Sequence, residues 1–434
     1  MIHDVVGWRC AVSGDVVRID AVDPWRPQRS TADDRRYVLL PIEVPGAPSP
    51  ARDDPHPFRR WEPRSAWAAA AEAHGMTDAA RLALVAELDE AVARVDGTGF
   101  SITPFARSDG LSESLGFSDT GGVWVKDETG NVGGSQKARH LFSILLLLRS
   151  QELLGVRSRN ERAPLAIASC GNAALAAATL ALAADWPIDV YVPTWMSDGF
   201  GDVLDRLGAR IHRCERRGDD PPGDPAMLRF REAVDRGAIP FTVQGPENAL
   251  CLDGGRTIGW ELAEQMAWSD APPVGRVYVQ VGGGAFAGCL GAGLADSAGS
   301  SAPALVAVQT EGCAPFERAV RALDERGVTD DDERASRWVD VMYPWSDPSS
   351  LADGILDDET YDWIVVDRAI RRTGGEALVV PERTVVEAHG HAVEAGFTAS
   401  PTGTAGLAGL VHDLAVGRVD RDARVAVVMS GVAR

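Results

Sequence analysis

Lys126-Asp127-Glu128-Thr129-Gly130-Asn131-Val132-Gly133-Gly134-Ser135-Gln136-Lys137-Ala138-Arg139 is the stretch on which the reading of this chain turns. It follows Val123-Trp124-Val125, whose β-branched and aromatic side chains suit a buried strand. It precedes the apolar run Leu141-Phe142-Ser143-Ile144-Leu145-Leu146-Leu147-Leu148, long enough to start a buried helix and far too short to span a bilayer. A strand, a glycine-rich turn and a core helix are therefore predicted, with Lys137 opening the helix at an edge of the interior. Most lysines are solvated surface charges; the setting distinguishes this one.

Three loops far downstream share the same design. Ser169-Cys170-Gly171-Asn172 ends the strand-like Leu165-Ala166-Ile167-Ala168 and begins an alanine-rich helix over residues 173–184. The N–H groups at a helix start are unpaired and partly positive, so this turn suits a carboxylate, and Asn172 adds an amide that can donate to a phenolate oxygen. Ser and Asn are also ordinary helix caps. Gly282-Gly283-Gly284-Ala285-Phe286-Ala287-Gly288 follows the strand-like Arg276-Val277-Tyr278-Val279-Gln280-Val281. Successive glycines let backbone approach a ligand closely, and the next helix start suits a phosphate dianion. The loop has no Gly-Lys-Ser/Thr and is not a dinucleotide fingerprint. Finally, Arg424-Val425-Ala426-Val427-Val428-Met429 ends in Ser430-Gly431. A serine hydroxyl facing a pyridine nitrogen does not keep it protonated as a carboxylate would.

A lysine amine traps a carbonyl only when a cofactor aldehyde is held beside it. Sites for a phosphate, a phenolate oxygen and a pyridine nitrogen around such a lysine describe pyridoxal 5'-phosphate. In order and wording these segments resemble the fold type II pyridoxal-phosphate enzymes, the tryptophan synthase β-like superfamily, closest to its threonine synthase and serine/threonine dehydratase branch. Thr103-Pro104-Phe105, Thr257-Ile258-Gly259-Trp260-Glu261 and Ser400-Pro401-Thr402-Gly403 resemble further segments of that branch, so the likeness covers residues 103–430. It implies an α/β fold of two lobes with open, mainly parallel sheets flanked by helices. It implies Lys137 as the Schiff-base lysine and Asn172 on the phenolic oxygen. Gly282, Gly283, Gly284, Ala285 and Phe286 fall at the phosphate and Ser430 at the pyridine nitrogen. Ser169, Cys170 and Gly171 fall at the substrate carboxylate. The chain departs from the branch at four positions. Gln136 replaces an aromatic residue, and Ala138 replaces the acidic residue of threonine synthases. Cys170 stands where dehydratases and racemases carry a serine, which makes it a candidate catalytic residue, and Ser400 replaces a glutamate.

The 434 residues suffice for two packed lobes. Residues 101–137 and 245–434 are expected to form a large cofactor-binding lobe and residues 138–244 a small one, where short β-branched runs alternate with helices as in a parallel sheet. Residues 1–100 read as an N-terminal extension with a Pro-, Arg- and Asp-rich linker at 23–63 and a helix at 66–93. The acidic stretch 324–358 reads as a lid or a surface insertion. A formal charge of -20 argues against nucleic acid and an anionic membrane surface as partners. No signal-peptide core stands in the first 22 residues, and the six cysteines lack Cys-x-x-Cys or zinc-site spacing, so reduced thiols, no metal site and a cytoplasmic location are expected. At the start of a helix, Cys170 would have a lowered thiol pKa.

The resulting expectation is a lyase that removes a β-hydroxyl and the amine from threonine, serine or a relative through an aminoacrylate-type intermediate. Threonine synthase-like or other β/γ-replacement chemistry is the alternative, and a non-catalytic binder of cofactor or amino acid is the alternative of another class. The family's usual homodimer is expected, with a small amino acid as substrate.

Overall fold

Long apolar runs in this chain become parallel strands covered on both faces, as such runs require. A computed structural model describes residues 3–27, 37–44, 46, 48–221, 223–268 and 273–433. Its largest sheet has six strands in the order Glu376–Val380, Ala304–Thr310, Arg276–Gln280, Arg424–Met429, Gly122–Asp127 and Phe105–Ser108. All neighbours are parallel except the last pair. Alternate residues of each strand serve opposite layers. Val277, Val279, Leu305, Ala307, Ala426 and Val428 pack with the helices Lys137–Leu153, Leu250–Ala267 and Ala285–Ala298. Tyr278, Val306, Val308, Val425 and Val427 pack with the helix Pro401–Ala415.

A second sheet, entirely parallel, runs in the order Arg210–Cys214, Ile188–Pro193, Leu165–Ala168 and Ile239–Pro240, with the helices Asn172–Ala183, Asp198–Arg206 and Pro225–Asp235 between its strands. This mixed α/β architecture is the one expected.

The first hundred residues carry more structure than the sequence reading gave them. Val16–Arg18, Val5–Cys10 and Leu39–Glu43 form an antiparallel sheet. The stretch expected as a linker at 23–63 thus contains a strand and the short helix Pro57–Arg60, although its positions 28–36, 45 and 47 lie outside the described residues. The helix expected at 66–93 is two helices, Ala66–Ala73 and Asp78–Asp96, parted at Gly75, whose φ of +93° suits glycine and not a helix interior. Phe58 and Phe100 close on Phe142 of the lysine-bearing helix at ring distances of 4.8 and 4.5 Å. Asp253 caps the helix Ala66–Ala73 from outside, accepting Ala66 N–H at 2.7 Å and Trp67 N–H at 3.2 Å.

The stretch expected as a lid or surface insertion at 324–358 folds against the body. Trp338 is buried with its ring 5.7 Å from that of Trp363, and the end of the stretch turns inward to the site described next. Among the described residues, no helix is long and apolar enough to cross a membrane.

Candidate active site

Arg276–Gln280, Arg424–Met429 and Gly122–Asp127 lie side by side and parallel, so the loops after them emerge at one edge, where open α/β sheets place ligands. The loops are then stitched together. Ser135 and Gly431 form an antiparallel bridge, Gln136 N–H donates to Ser430 O at 3.0 Å, and Val432 N–H donates to Gly134 O at 2.9 Å. From the second sheet, the Asn172 amide donates to Val432 O at 3.5 Å. A Cβ on Gly431 would stand 2.8 Å from Ser135 Cβ and 3.0 Å from Asn172 Nδ2, so only glycine permits this convergence. Lys137, Asn172 and Ser430 are thereby brought together.

Gly133 and Gly134, at φ of +66° and +64°, make the turn that sets Lys137 as the first residue of its helix. Lys137 is half-buried. Loss of water lowers its amine pKa, while Asp357, Cys251 and Asp362 act in the opposite direction. A lowered pKa makes more of the free amine available as a nucleophile. Two residues on, Arg139 anchors the helix in a fully buried network with Glu128, Glu261, Lys126 and Thr103. Two cations meet two carboxylates there, as buried charges require. His140 Nδ1 lies 2.8 Å from Cys251 O. A carbonyl only accepts, so Nδ1 carries the proton, and burial followed by Lys137 pushes the imidazole pKa down to about 3.

Gln280 Nε2 reaches both Gly403 O, at 3.3 Å, and Ser430 Oγ. Because Gly403 O can only accept, the amide nitrogen faces both groups, the Ser430 oxygen is an acceptor, and its own hydrogen remains available to donate. Ser400, where a glutamate was noted as usual, caps the helix Pro401–Ala415 by accepting Gly403 N–H at 3.0 Å. Gln136 and Ala138 are buried beside Lys137.

Ser169, Cys170, Gly171 and Asn172 are half-buried, and the helix they begin has no side-chain cap. Nothing would lie within 4 Å of a Cβ on Gly171, so this helix start opens onto free space. The expectation of a lowered Cys170 thiol pKa is corrected: burial, foremost, and the charge of Asp224 push it up against its own backbone hydrogen bond.

Gly284, at φ of +98°, begins the helix Ala285–Ala298, again without a side-chain cap. Two carboxylates that the sequence reading did not assign stand at this loop. Asp357 Oδ2 would lie 2.7 Å from a Cβ on Gly282 and 3.5 Å from one on Gly283. Burial pushes the Asp357 carboxyl up to about 6 against Lys137 and the Gly283 backbone. Asp362 donates its N–H to Gly283 O at 2.7 Å, accepts Gly245 N–H at 3.0 Å, and is pushed up to about 7 by burial. Gln280 was signalled by a polar residue ending an apolar strand, whereas Asp357 and Asp362 stand in an acidic run before the amphipathic helix Trp363–Arg372.

A family model described as pyridoxal-phosphate dependent enzyme matches residues 98–431. The chain belongs to that family, as a fold type II member, and its cofactor is pyridoxal 5'-phosphate. It is 24% identical over 338 residues to the threonine synthase of Methanocaldococcus jannaschii, a match covering 76% of this chain and 74% of that protein. The tomato threonine deaminase isoform 2 shares the fold at a TM-score of 0.58 and 17% identity, over 83% of this chain and 86% of its own. An L-serine ammonia-lyase from Rhizomucor miehei does so at 0.58 and 18%, over 76% and 93%.

The residues present fit the cofactor. Lys137, with a lowered pKa, opens its helix beside Ser430 and Gly431, the glycine loop begins a helix without a side-chain cap, as does the loop at Asn172, and the Ser430 hydroxyl has a hydrogen to give.

Proposed function

We propose that this chain catalyses β-elimination and deamination of a hydroxy amino acid, threonine, serine or a relative, at Lys137. Pyridoxal phosphate bound there supplies the electron sink for bonds at the amino acid α-carbon. Ser169, Cys170, Gly171 and Asn172, at the start of the helix Asn172–Ala183, hold the substrate carboxylate. Lys137 Nζ, its charged form already disfavoured by burial, takes the α-proton as general base. Asn172 would donate to the phenolic oxygen of the cofactor, and Gly282 to Phe286 would enclose its phosphate.

The observation that carries the reading is the hydrogen bond from Gln280 to Ser430, which leaves a neutral hydroxyl to donate to the ring nitrogen. A neutral donor tempers the electron sink, which suits expulsion of a β-substituent over accumulation of a carbanion. Cys170, a thiol with a raised pKa beside the carboxylate-binding N–H groups, is assigned to positioning and closing the substrate pocket. In this reading residues 101–137 and 245–434 form the larger lobe and residues 138–244 the smaller one, and the enzyme works as a cytoplasmic homodimer on a free amino acid.

The match to a threonine synthase favours a second reading, replacement at the β- or γ-carbon. Incubation with threonine, serine, O-acetylserine and O-phosphohomoserine separates the two. Ammonia and a 2-oxo acid from the hydroxy amino acids support elimination, and phosphate release with threonine formation supports replacement. Lys137→Ala abolishes turnover in both cases; a fully active variant would defeat both.

A further inference from the structure

The segment from Asp353 to Asp362 crosses the glycine loop and is fastened along its length. Gly354 N–H donates to Thr402 Oγ1 at 2.9 Å, Cys313 Sγ donates to Asp357 O at 3.2 Å, Gln309 Nε2 reaches Thr360 Oγ1 at 3.5 Å, and Asp362 N–H donates to Gly283 O at 2.7 Å. Ile355 is buried beneath it. This strap holds the Asp357 carboxylate over Gly282 and Gly283 and in the field of Lys137, with Asp358 beside it and Asp362 beyond.

A phosphate at a glycine loop needs the backbone N–H groups and the nearby positive charge. The Asp357 carboxylate lies against that loop, its Oδ2 2.7 and 3.5 Å from where Cβ atoms on Gly282 and Gly283 would stand. Two anions within a few ångströms repel strongly away from bulk water, so they do not share one cradle at full strength. A neutral isostere would leave the strap's fastenings in place, because three are made by other residues and the Asp357 bond uses its backbone oxygen.

We propose that Asp357 contends with the cofactor phosphate for the glycine loop, so that loading the site requires its carboxylate to withdraw from Gly282 and Gly283. Asp357 thereby sets how tightly pyridoxal phosphate is held, and the side chain moves while the strap stays. The inference rests on the cofactor-site reading above.

The test compares wild-type protein with Asp357→Asn, both stripped of cofactor, by equilibrium titration with pyridoxal phosphate, read from the absorbance of the lysine imine. Pyridoxal, which lacks the phosphate, is titrated in parallel, and inorganic phosphate is titrated by thermal shift. D357N is expected to bind pyridoxal phosphate and inorganic phosphate at least about tenfold more tightly while its affinity for pyridoxal stays within about twofold. Equal or weaker binding of pyridoxal phosphate in the variant overturns the proposal, as does an equal gain for pyridoxal, and leaves the cofactor site standing. Absence of an imine at position 137 in both proteins defeats the site and the proposal together. Asp357→Ser serves as the second neutral variant, with the same expected outcomes, should D357N fold poorly.

Discussion

Asp362 has no exposed surface; one of its carboxylate oxygens accepts Gly245 N–H while the other, among the described residues, has no hydrogen-bond partner. Burial accordingly raises its pKa from 3.8 to about 7. A carboxyl whose folded pKa is raised binds its proton more tightly in the folded state. Its contribution is therefore fully present below about pH 4 and is lost as pH rises to about 7. Asp362→Asn is expected to flatten the fall in melting temperature across that window, with a gain on the order of a few kcal/mol at pH 8. A melting profile as steep as that of the wild type would refute the assignment. Residues of this kind explain what the sequence did not reveal. Lys137 and Ser430 were legible because each ends a recognisable strand-and-turn pattern. Asp357 and Asp362 were not, because they reach the glycine loop through tertiary packing, and an acidic run read along the chain looks like solvated surface.

The lysine helix shows how one element is held in register. Glu261, from the helix Leu250–Ala267, takes the Lys126 amine at 2.6 Å and shares the Arg139 guanidinium with Glu128, all without exposure to solvent. Burial lowers the Lys126 pKa despite these carboxylates. Removing one carboxylate leaves two buried cations facing a single anion. Glu261→Gln is expected to cost about 3–5 kcal/mol in urea unfolding, and a loss under 1 kcal/mol would refute the network's role. Elements as such were largely readable, because buried parallel strands show as continuous β-branched runs. The exception has a local cause: Gly75 split the helix expected at 66–93.

Across the whole molecule, the first hundred residues belong to the main core. Trp8, Trp61 and Trp67 have 2% exposure or less, and Phe58 and Phe100 close on Phe142 of the lysine helix. Truncating each such side chain costs about 3–5 kcal/mol, so removing the segment exceeds the whole stability of a typical domain. Protein starting at residue 101 is expected to be insoluble, while the full chain melts in one transition. A soluble truncated protein with an unchanged melting temperature would show the segment to be dispensable. The sequence read this segment only as an extension, since aromatic residues scattered through a Pro- and Arg-rich stretch do not announce their partners. The seam where Gly134, Ser135 and Gln136 meet Ser430, Gly431 and Val432 also fixes a chronology. A ribosome that has made the lysine has still to make nearly everything up to residue 432 before that lysine gains its neighbours, so a nascent or stalled chain carries the amine without the chemistry.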